Sequence, residues 1–168
     1  MLNMSLNQIR GKIQINPDVW VNMYTTNCYA YALGLDIREA DICIGAYQPG
    51  RISELTYLPN TECFEYKTLI EGIENDFDAL NIKYREVNHN EKIAYNEWKI
   101  ALLTEKYHGK LADFHFLRQK QNGIWFHKNG FNGTISKKDY SGRIITDPIS
   151  SNLNSYTYDK CYALKLNR

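Results

Sequence analysis

Cys28 directly follows a threonine-threonine-asparagine run at residues 25–27. Each of those three side chains can accept a hydrogen bond from a free backbone N–H at the start of a helix. A short helix over 29–33 would then end at Gly34. The helix dipole favours thiolate over thiol in the first turn, which is the environment of a nucleophilic cysteine. The alternative is an inert, buried cysteine, since cysteine is among the most buried residue types.

A nucleophilic cysteine needs a base, and the chain has four histidines. His89 and His108 lie in polar turn sequences, which predicts solvated surface positions. His115 and His127 lie in strand-like sequences between aromatic residues. Either one alone would more often be a packed core histidine, but two histidines in one predicted hairpin can act together.

The turn of this hairpin decides which way the two histidines point, and Asn122-Gly123 is a strong hairpin signal. With a two-residue turn, His127 pairs with Arg118, and the two histidines face opposite sides of the sheet. With a three-residue turn, Gly123 takes the left-handed position of a bulge and His127 opposes Leu117. We favour the three-residue turn. It predicts one shared face that carries Asp113, His115, His127 and Asn129.

The order of these residues resembles that of papain-like cysteine hydrolases. Residues 27–32, Asn-Cys-Tyr-Ala-Tyr-Ala, resemble the cysteine motif of CHAP amidases. Residues 115–127 resemble the hairpin of NlpC-type peptidases, in which two site residues lie twelve positions apart across an Asn-Gly-containing turn. The resemblance implies that Cys28 is the nucleophile, His115 the base and His127 the residue that orients the base.

Two further assignments stay open. In papain itself the third residue lies on a later strand, so His127 could be the base and Asp147 its orienting partner, although Asp147-Pro148 also fits an ordinary turn. The oxyanion would meet the backbone N–H of Cys28 and one side chain. Asn22 occupies the place where papain-like enzymes keep a glutamine, and Tyr24 is the other candidate.

The remaining pattern predicts a single domain over residues 1–168 with an α+β fold. A cysteine-bearing N-terminal helix would pack on an antiparallel sheet of about five to six strands, which implies a papain-like or NlpC-like fold. An apolar stripe predicts a helix over 67–81. Residues 34–66 are irregular and are expected to form a cleft wall or lid. The predicted strands are 83–87, 98–104, 111–119, 124–128, 143–146 and 161–166, with an edge strand at 12–15.

The composition argues against several classes of function. The 168 residues carry 20 basic and 19 acidic side chains, which gives no basic surface for nucleic acid. The four cysteines have irregular spacing, which argues against a disulfide framework or a zinc site. No Sec signal or membrane span is apparent, so we expect synthesis in the cytoplasm, with signal-independent delivery elsewhere left open.

Three hypotheses for the function follow. The first is a cysteine hydrolase without a cofactor that acts on a peptide or protein amide, as a peptidase, a peptidoglycan amide hydrolase or a glutamine deamidase. The second is a catalytically silent binding or toxin-accessory module. The third is a metal-dependent protein that uses Cys28 with the two histidines. Substrate and oligomeric state stay open.

Overall fold

The chain forms an α+β fold around one antiparallel sheet. The computed structural model describes residues 6–13, 26–35, 48–54, 66–130 and 133–167. Its helices are α1 (Leu6–Arg10), α2 (Cys28–Leu33), α3 (Arg51–Glu54) and α4 (Tyr66–Ala79). Its strands are β1 (Ile82–Val87), β2 (Trp98–Tyr107), β3 (Lys110–Gln119), β4 (Trp125–Lys128), β5 (Ile135–Ser136) and β6 (Thr157–Leu166). The six strands run in the order β1-β6-β2-β3-β4-β5.

The predicted strands and the long helix are found close to their expected positions. β2 lies between β6 and β3, as the continuous apolar run in residues 100–103 predicts for an interior strand. The predicted helix over 67–81 is α4. Among the described helices α4 is the longest, at 14 residues, and none is long and apolar enough to cross a membrane.

One strand prediction is wrong, and a second lies only partly within the described residues. The segment 143–146 makes only an isolated bridge between Lys138 and Ile144. The Ile145 backbone also donates to the Lys137 carbonyl and accepts from the Trp125 N–H. The Asp139 carboxylate organises the turn before this segment, because it accepts hydrogen bonds from the N–H groups of Ser141, Arg143 and Asn152. Near the N-terminus, helix α1 precedes the predicted edge strand at 12–15, of which Lys12 and Ile13 are described and residues 14–15 lie outside the described residues. Ile13 makes an isolated bridge with Leu35.

The sheet is covered on both faces. Side chains of one face pack with α2 and α4, and those of the other face pack with loops after β4. The first cluster includes Cys28, Tyr29, Phe77, Phe114, Phe116 and Tyr162. The second includes Leu103, Leu117, Trp125, Ile145, Leu153 and Cys161. Neighbouring residues of β3 therefore serve opposite faces, as strand geometry requires.

A buried carboxylate ties α2 and α3 to α4. Asp76 accepts hydrogen bonds from the Tyr29 hydroxyl (3.0 Å) and from the N–H groups of Gly50 and Ser53 (both 2.8 Å). Burial raises the pKa of Asp76 to about 6 against the effect of these donors. Gly72 permits the backbone at Gly50 to approach α4 closely, since a Cβ on residue 72 would lie 2.9 Å from the Gly50 nitrogen. Tyr29, the residue after Cys28, is thus held by a hydrogen bond to α4.

Candidate active site

Cys28 is the first residue of α2, and the predicted cap is present. The Asn27 side chain accepts a hydrogen bond from the Ala30 N–H at 2.9 Å, and the Asn27 carbonyl accepts one from Tyr31 at 3.0 Å. Gly34 ends the helix in the left-handed conformation, with φ of 79°. Asn27 therefore serves two of the first N–H groups of the helix. The N–H groups of Cys28 and Tyr29 lie beside the Cys28 sulfur, where they favour its thiolate form.

The opposite end of α2 is fixed to the sheet by two donors. The Trp98 indole N–H and the Arg118 guanidinium both donate to the Ala32 carbonyl, at 3.1 and 3.2 Å. Arg118 is buried and stacks over the Trp98 ring at 5.2 Å. A cation at the carbonyl end of a helix also opposes the negative end of its dipole. These contacts set the position of α2, so the location of Cys28 depends on β2 and β3 rather than on its own short helix.

The hairpin has the three-residue turn. The Lys120 N–H donates to the Ile124 carbonyl, the Gly123 N–H donates to the Lys120 carbonyl, and Gly123 has φ of 82°. His127 accordingly pairs with Leu117. The prediction that both histidines share one face is confirmed, because His115 lies two residues from Leu117 on the same strand.

The two imidazoles form a directed hydrogen-bond chain. His115 Nε2 and His127 Nδ1 are 2.9 Å apart, and His127 Nε2 lies 2.9 Å from the Lys138 carbonyl oxygen. A carbonyl oxygen can only accept, so His127 Nε2 carries a proton and donates it. The Nδ1 of neutral His127 must then accept from His115 Nε2. This leaves His115 Nδ1 without a proton, which is the state that a general base requires.

Cys28 lies where β3 and β4 separate. The pairing of these strands covers Leu117–Gln119 with Trp125–His127 and stops there. The N–H of Phe116 is directed at the Cys28 sulfur. Among the described residues, Cys28 Sγ has no hydrogen bond to either imidazole. Cys28 packs with Phe114 and Phe116, whereas His115 lies between them on β3 and is directed to the other face of the sheet, with Leu117. A catalytic contact between Cys28 and His115 would have to form at this opening between the strands, and catalytic hydrogen bonds are often long before substrate binds.

The electrostatics of the site differ from the expected thiolate. Burial raises the pKa of Cys28 to about 12, although the N–H groups of Phe116, Tyr29 and Cys28 act in the opposite direction. Burial, and then the neighbouring His127, lower the pKa of His115 to about 3. Desolvation therefore outweighs the helix dipole, and the closed site holds a neutral thiol and a neutral imidazole.

The surroundings of His115 include residues that the motifs did not indicate. The Tyr156 ring lies 5.3 Å from the His115 ring, and its hydroxyl donates to Asp113 at 2.5 Å. Lys138 contributes only its carbonyl, which no side-chain motif can reveal. The alternation of side chains along the hairpin predicted Asp113 near the two histidines. Tyr156 is distant in sequence, and no sequence pattern predicted that it would contact His115.

The structure does not bring Asp147 to His127. The Asp147 carboxylate accepts from the Ile149 N–H at 2.9 Å and the Ser150 hydroxyl at 3.0 Å, and it lies 3.4 Å from His89. It is the turn residue that its Asp-Pro sequence also allowed. His127 meets the Lys138 carbonyl instead. The oxyanion candidates Asn22 and Tyr24 lie outside the described residues, as do Cys43, Cys63 and most of the segment 34–66.

The described part of the chain contains no group of three or more His, Cys, Asp or Glu side chains arranged to hold a metal ion. No family model matches the chain, and no match is found among curated proteins or solved structures.

Proposed function

We propose that this chain is a cysteine-dependent hydrolase that cleaves or deamidates an amide bond in a peptide or protein. In this proposal Cys28 is the nucleophile, His115 the base and His127 the residue that orients it, on a papain-like, NlpC-like arrangement. The observation that carries the proposal is the chain of hydrogen bonds from the Lys138 carbonyl through His127 to His115. It sets both tautomers and leaves His115 Nδ1 ready to accept a proton.

The proposed reaction is acyl transfer through a thioester. The Cys28 sulfur attacks the amide carbonyl carbon as its proton moves to His115 Nδ1. The C–N bond breaks, and His115 returns the proton to the leaving amine. Water then attacks the thioester, gives a proton to His115 and releases the acid, and the thiol is restored. Because both groups are neutral at rest, the proton transfer must accompany the attack on substrate rather than precede it.

His127 has a second part in this proposal. When His115 gains a proton, its Nε2–H remains hydrogen-bonded to His127, whose other nitrogen is held by the Lys138 carbonyl. Burial lowers the pKa of His127, but this carbonyl and the nearby Asp139 carboxylate act in the opposite direction. The pair can thus share the positive charge. The oxyanion would meet the Cys28 N–H at the start of α2, and Asn22 and Tyr24 stay predictions as its second donor.

A catalytically silent binding or toxin-accessory module is the second candidate. Cys28 is only 7% exposed, and burial holds its pKa near 12. A structural cysteine has these same properties. The two candidates differ in whether Cys28 reacts faster than an ordinary buried thiol of this chain.

Alkylation rates at individual cysteines test the proposal. The full-length protein is treated with iodoacetamide between pH 6 and 9, and each cysteine is followed by mass spectrometry. We expect Cys28 to react at least about tenfold faster than the buried Cys161, because in this proposal His115 takes the proton of the Cys28 thiol during attack. The protein unfolded in guanidinium is the control, where the four rates should converge. Similar rates at all four cysteines in the folded protein would exclude the hydrolase and leave the silent module.

A further inference from the structure

Lys128 is a buried cation next to the proposed catalytic pair. It follows His127 at the end of β4 and is 0% exposed. Its Nζ donates to the Gly130 carbonyl at 2.5 Å. Strand alternation directs the Lys128 side chain to the face opposite His127, and α2 packs against β3 and β4. Lys128 is one residue beyond the pair of His127 with Leu117, level with Phe116, whose N–H is directed at the Cys28 sulfur. The Lys128 side chain is therefore on the same face of the sheet as the start of α2.

A buried ammonium group needs compensation, since desolvation disfavours its charged form. Burial lowers the pKa of Lys128 to about 8, and a negative charge on Cys28 acts in the opposite direction. The two groups are therefore within electrostatic range, and each favours the ionised form of the other. At pH 7 Lys128 is still mostly protonated, so a positive charge faces the position where negative charge develops during attack.

We propose that the Lys128 ammonium group stabilises the negative charge that forms on Cys28 during catalysis. This inference rests on the proposed function. It assigns Lys128 a different task from that of the histidines: His115 removes the proton, and Lys128 lowers the free energy of the anion that remains. Electrostatic stabilisation of this kind is strong where water is excluded, and Cys28 and Lys128 are both buried.

The other charged and titratable groups around Cys28 do not supply this positive charge. From β3, Asp113 disfavours a thiolate and His115 is neutral at rest. From β4, burial lowers the pKa of His127. Tyr156 lies within electrostatic range, and burial together with Asp113 raises its pKa, so it is also uncharged. Among the groups that face Cys28 in the described structure, Lys128 is the one that is cationic at neutral pH.

A second buried lysine provides a matched control. Lys99 of β2 is 2% exposed, and its Nζ donates to the carbonyls of His89 and Glu91 at 2.5 and 2.8 Å. It lies within electrostatic range of Cys161, not Cys28, and Cys161 likewise opposes the effect of burial on its pKa. Replacing either lysine removes a similar buried side chain, but only Lys128 should alter Cys28.

The experiment measures the rate of Cys28 alkylation by iodoacetamide from pH 6 to pH 10 in the full chain. The variants are Lys128→Met, Lys128→Arg and Lys99→Met, and circular dichroism checks that each is folded. We expect Lys128→Met to slow Cys28 about tenfold or more at pH 7, where the Lys128 ammonium group is mostly charged, and to slow it less at pH 10, where the wild-type lysine has lost its proton. Lys128→Arg should retain most of the rate, and Lys99→Met should leave Cys28 unchanged.

The outcomes separate the two proposals. An unchanged Cys28 rate at pH 7 in folded Lys128→Met overturns the role of Lys128, as does an equal loss of rate in Lys99→Met or a failure of Lys128→Arg to preserve the rate. If Lys128→Met does not fold, Lys128→Gln carries the same expectation with a polar side chain. If wild-type Cys28 reacts no faster than Cys161, the proposed hydrolase itself fails, whatever the variants do.

Discussion

Cys28 and Cys161 are alike in the properties by which cysteines are usually judged. Both are free and buried, and burial raises the pKa of each to about 12. Each also has a buried lysine within electrostatic range, Lys128 for Cys28 and Lys99 for Cys161. Burial, pKa and a nearby cation therefore do not distinguish a candidate nucleophile from a packing residue in this chain.

The difference lies in the polar groups around each sulfur. Cys161 is in β6, where its register partners are Val87 of β1 and Ala101 of β2, and it packs in the apolar cluster on that face. Cys28 starts a helix, and the N–H groups of three residues are directed at its sulfur. The neighbouring strands carry a histidine pair with defined tautomers. The backbone N–H groups at its sulfur and, in the proposed function, the His115 proton acceptor are thus the features that separate Cys28 from Cys161.

The largest expected effect comes from removing the base. We expect His115→Gln to lower the rate of Cys28 alkylation, and any amide hydrolysis, by about a hundredfold or more, in the range of general base catalysis. Cys161 should react as before. The matched control is His89→Gln, which removes a histidine that contacts Asp147 and not the site. If Cys28 reacts at the same rate in His115→Gln and His89→Gln, His115 is not its base, and the proposed difference between Cys28 and Cys161 is incorrect.

Removing the orienting residue should have a smaller effect. In His127→Gln the His115 Nε2–H loses its acceptor, the Nδ1 atom of His127, so the His115 ring can change tautomer and orientation. We expect a loss of about tenfold in the Cys28 rate, because His115 is still present. Kinetics of alkylation at pH 7 measure this, with Asp147→Asn as the comparison. If Asp147→Asn costs more than His127→Gln, the rival pairing of His127 with Asp147 gains support over the present one.

A third expected effect is on the stability of the fold against acid rather than on a reaction rate. The folded pKa of His115, about 3, is below its ordinary value of 6.5, so the unfolded chain binds protons more readily between these values. Stability from this group is fully present above about pH 6.5 and is lost as pH falls towards 3. Below pH 6 the wild type should lose up to about 1.4 kcal/mol per pH unit relative to His115→Gln.

Urea unfolding at pH 7, 6, 5 and 4 measures this difference. Asp76 acts in the opposite sense, because its folded pKa is raised to about 6 and protonation favours the folded state as pH falls below that value. Both proteins contain Asp76, so its contribution cancels in the comparison. Parallel pH dependences for the two proteins would show that His115 titrates normally, and the closed, neutral site would then be incorrect.

Much of the local structure was predictable because its causes are local. The cap of α2 depends on the Asn27 side chain and an N–H three residues away. An apolar stripe predicted α4, and a continuous apolar run predicted the interior strand β2. The Gly123 turn was one of two permitted by its sequence. By contrast, the turn before the segment 143–146 is organised by the Asp139 carboxylate, whose bonds reach Asn152.

The sequence by itself determined that a capped cysteine would start a short helix and that two histidines would lie in one hairpin. Only the tertiary structure decided that His127 meets the Lys138 carbonyl and Asp147 meets His89. It also decided that burial would outweigh the helix dipole at Cys28. The physical reason is that caps and turns join groups a few residues apart. Tautomers, pKa values and partners depend on backbone atoms and desolvation supplied by segments distant in the chain.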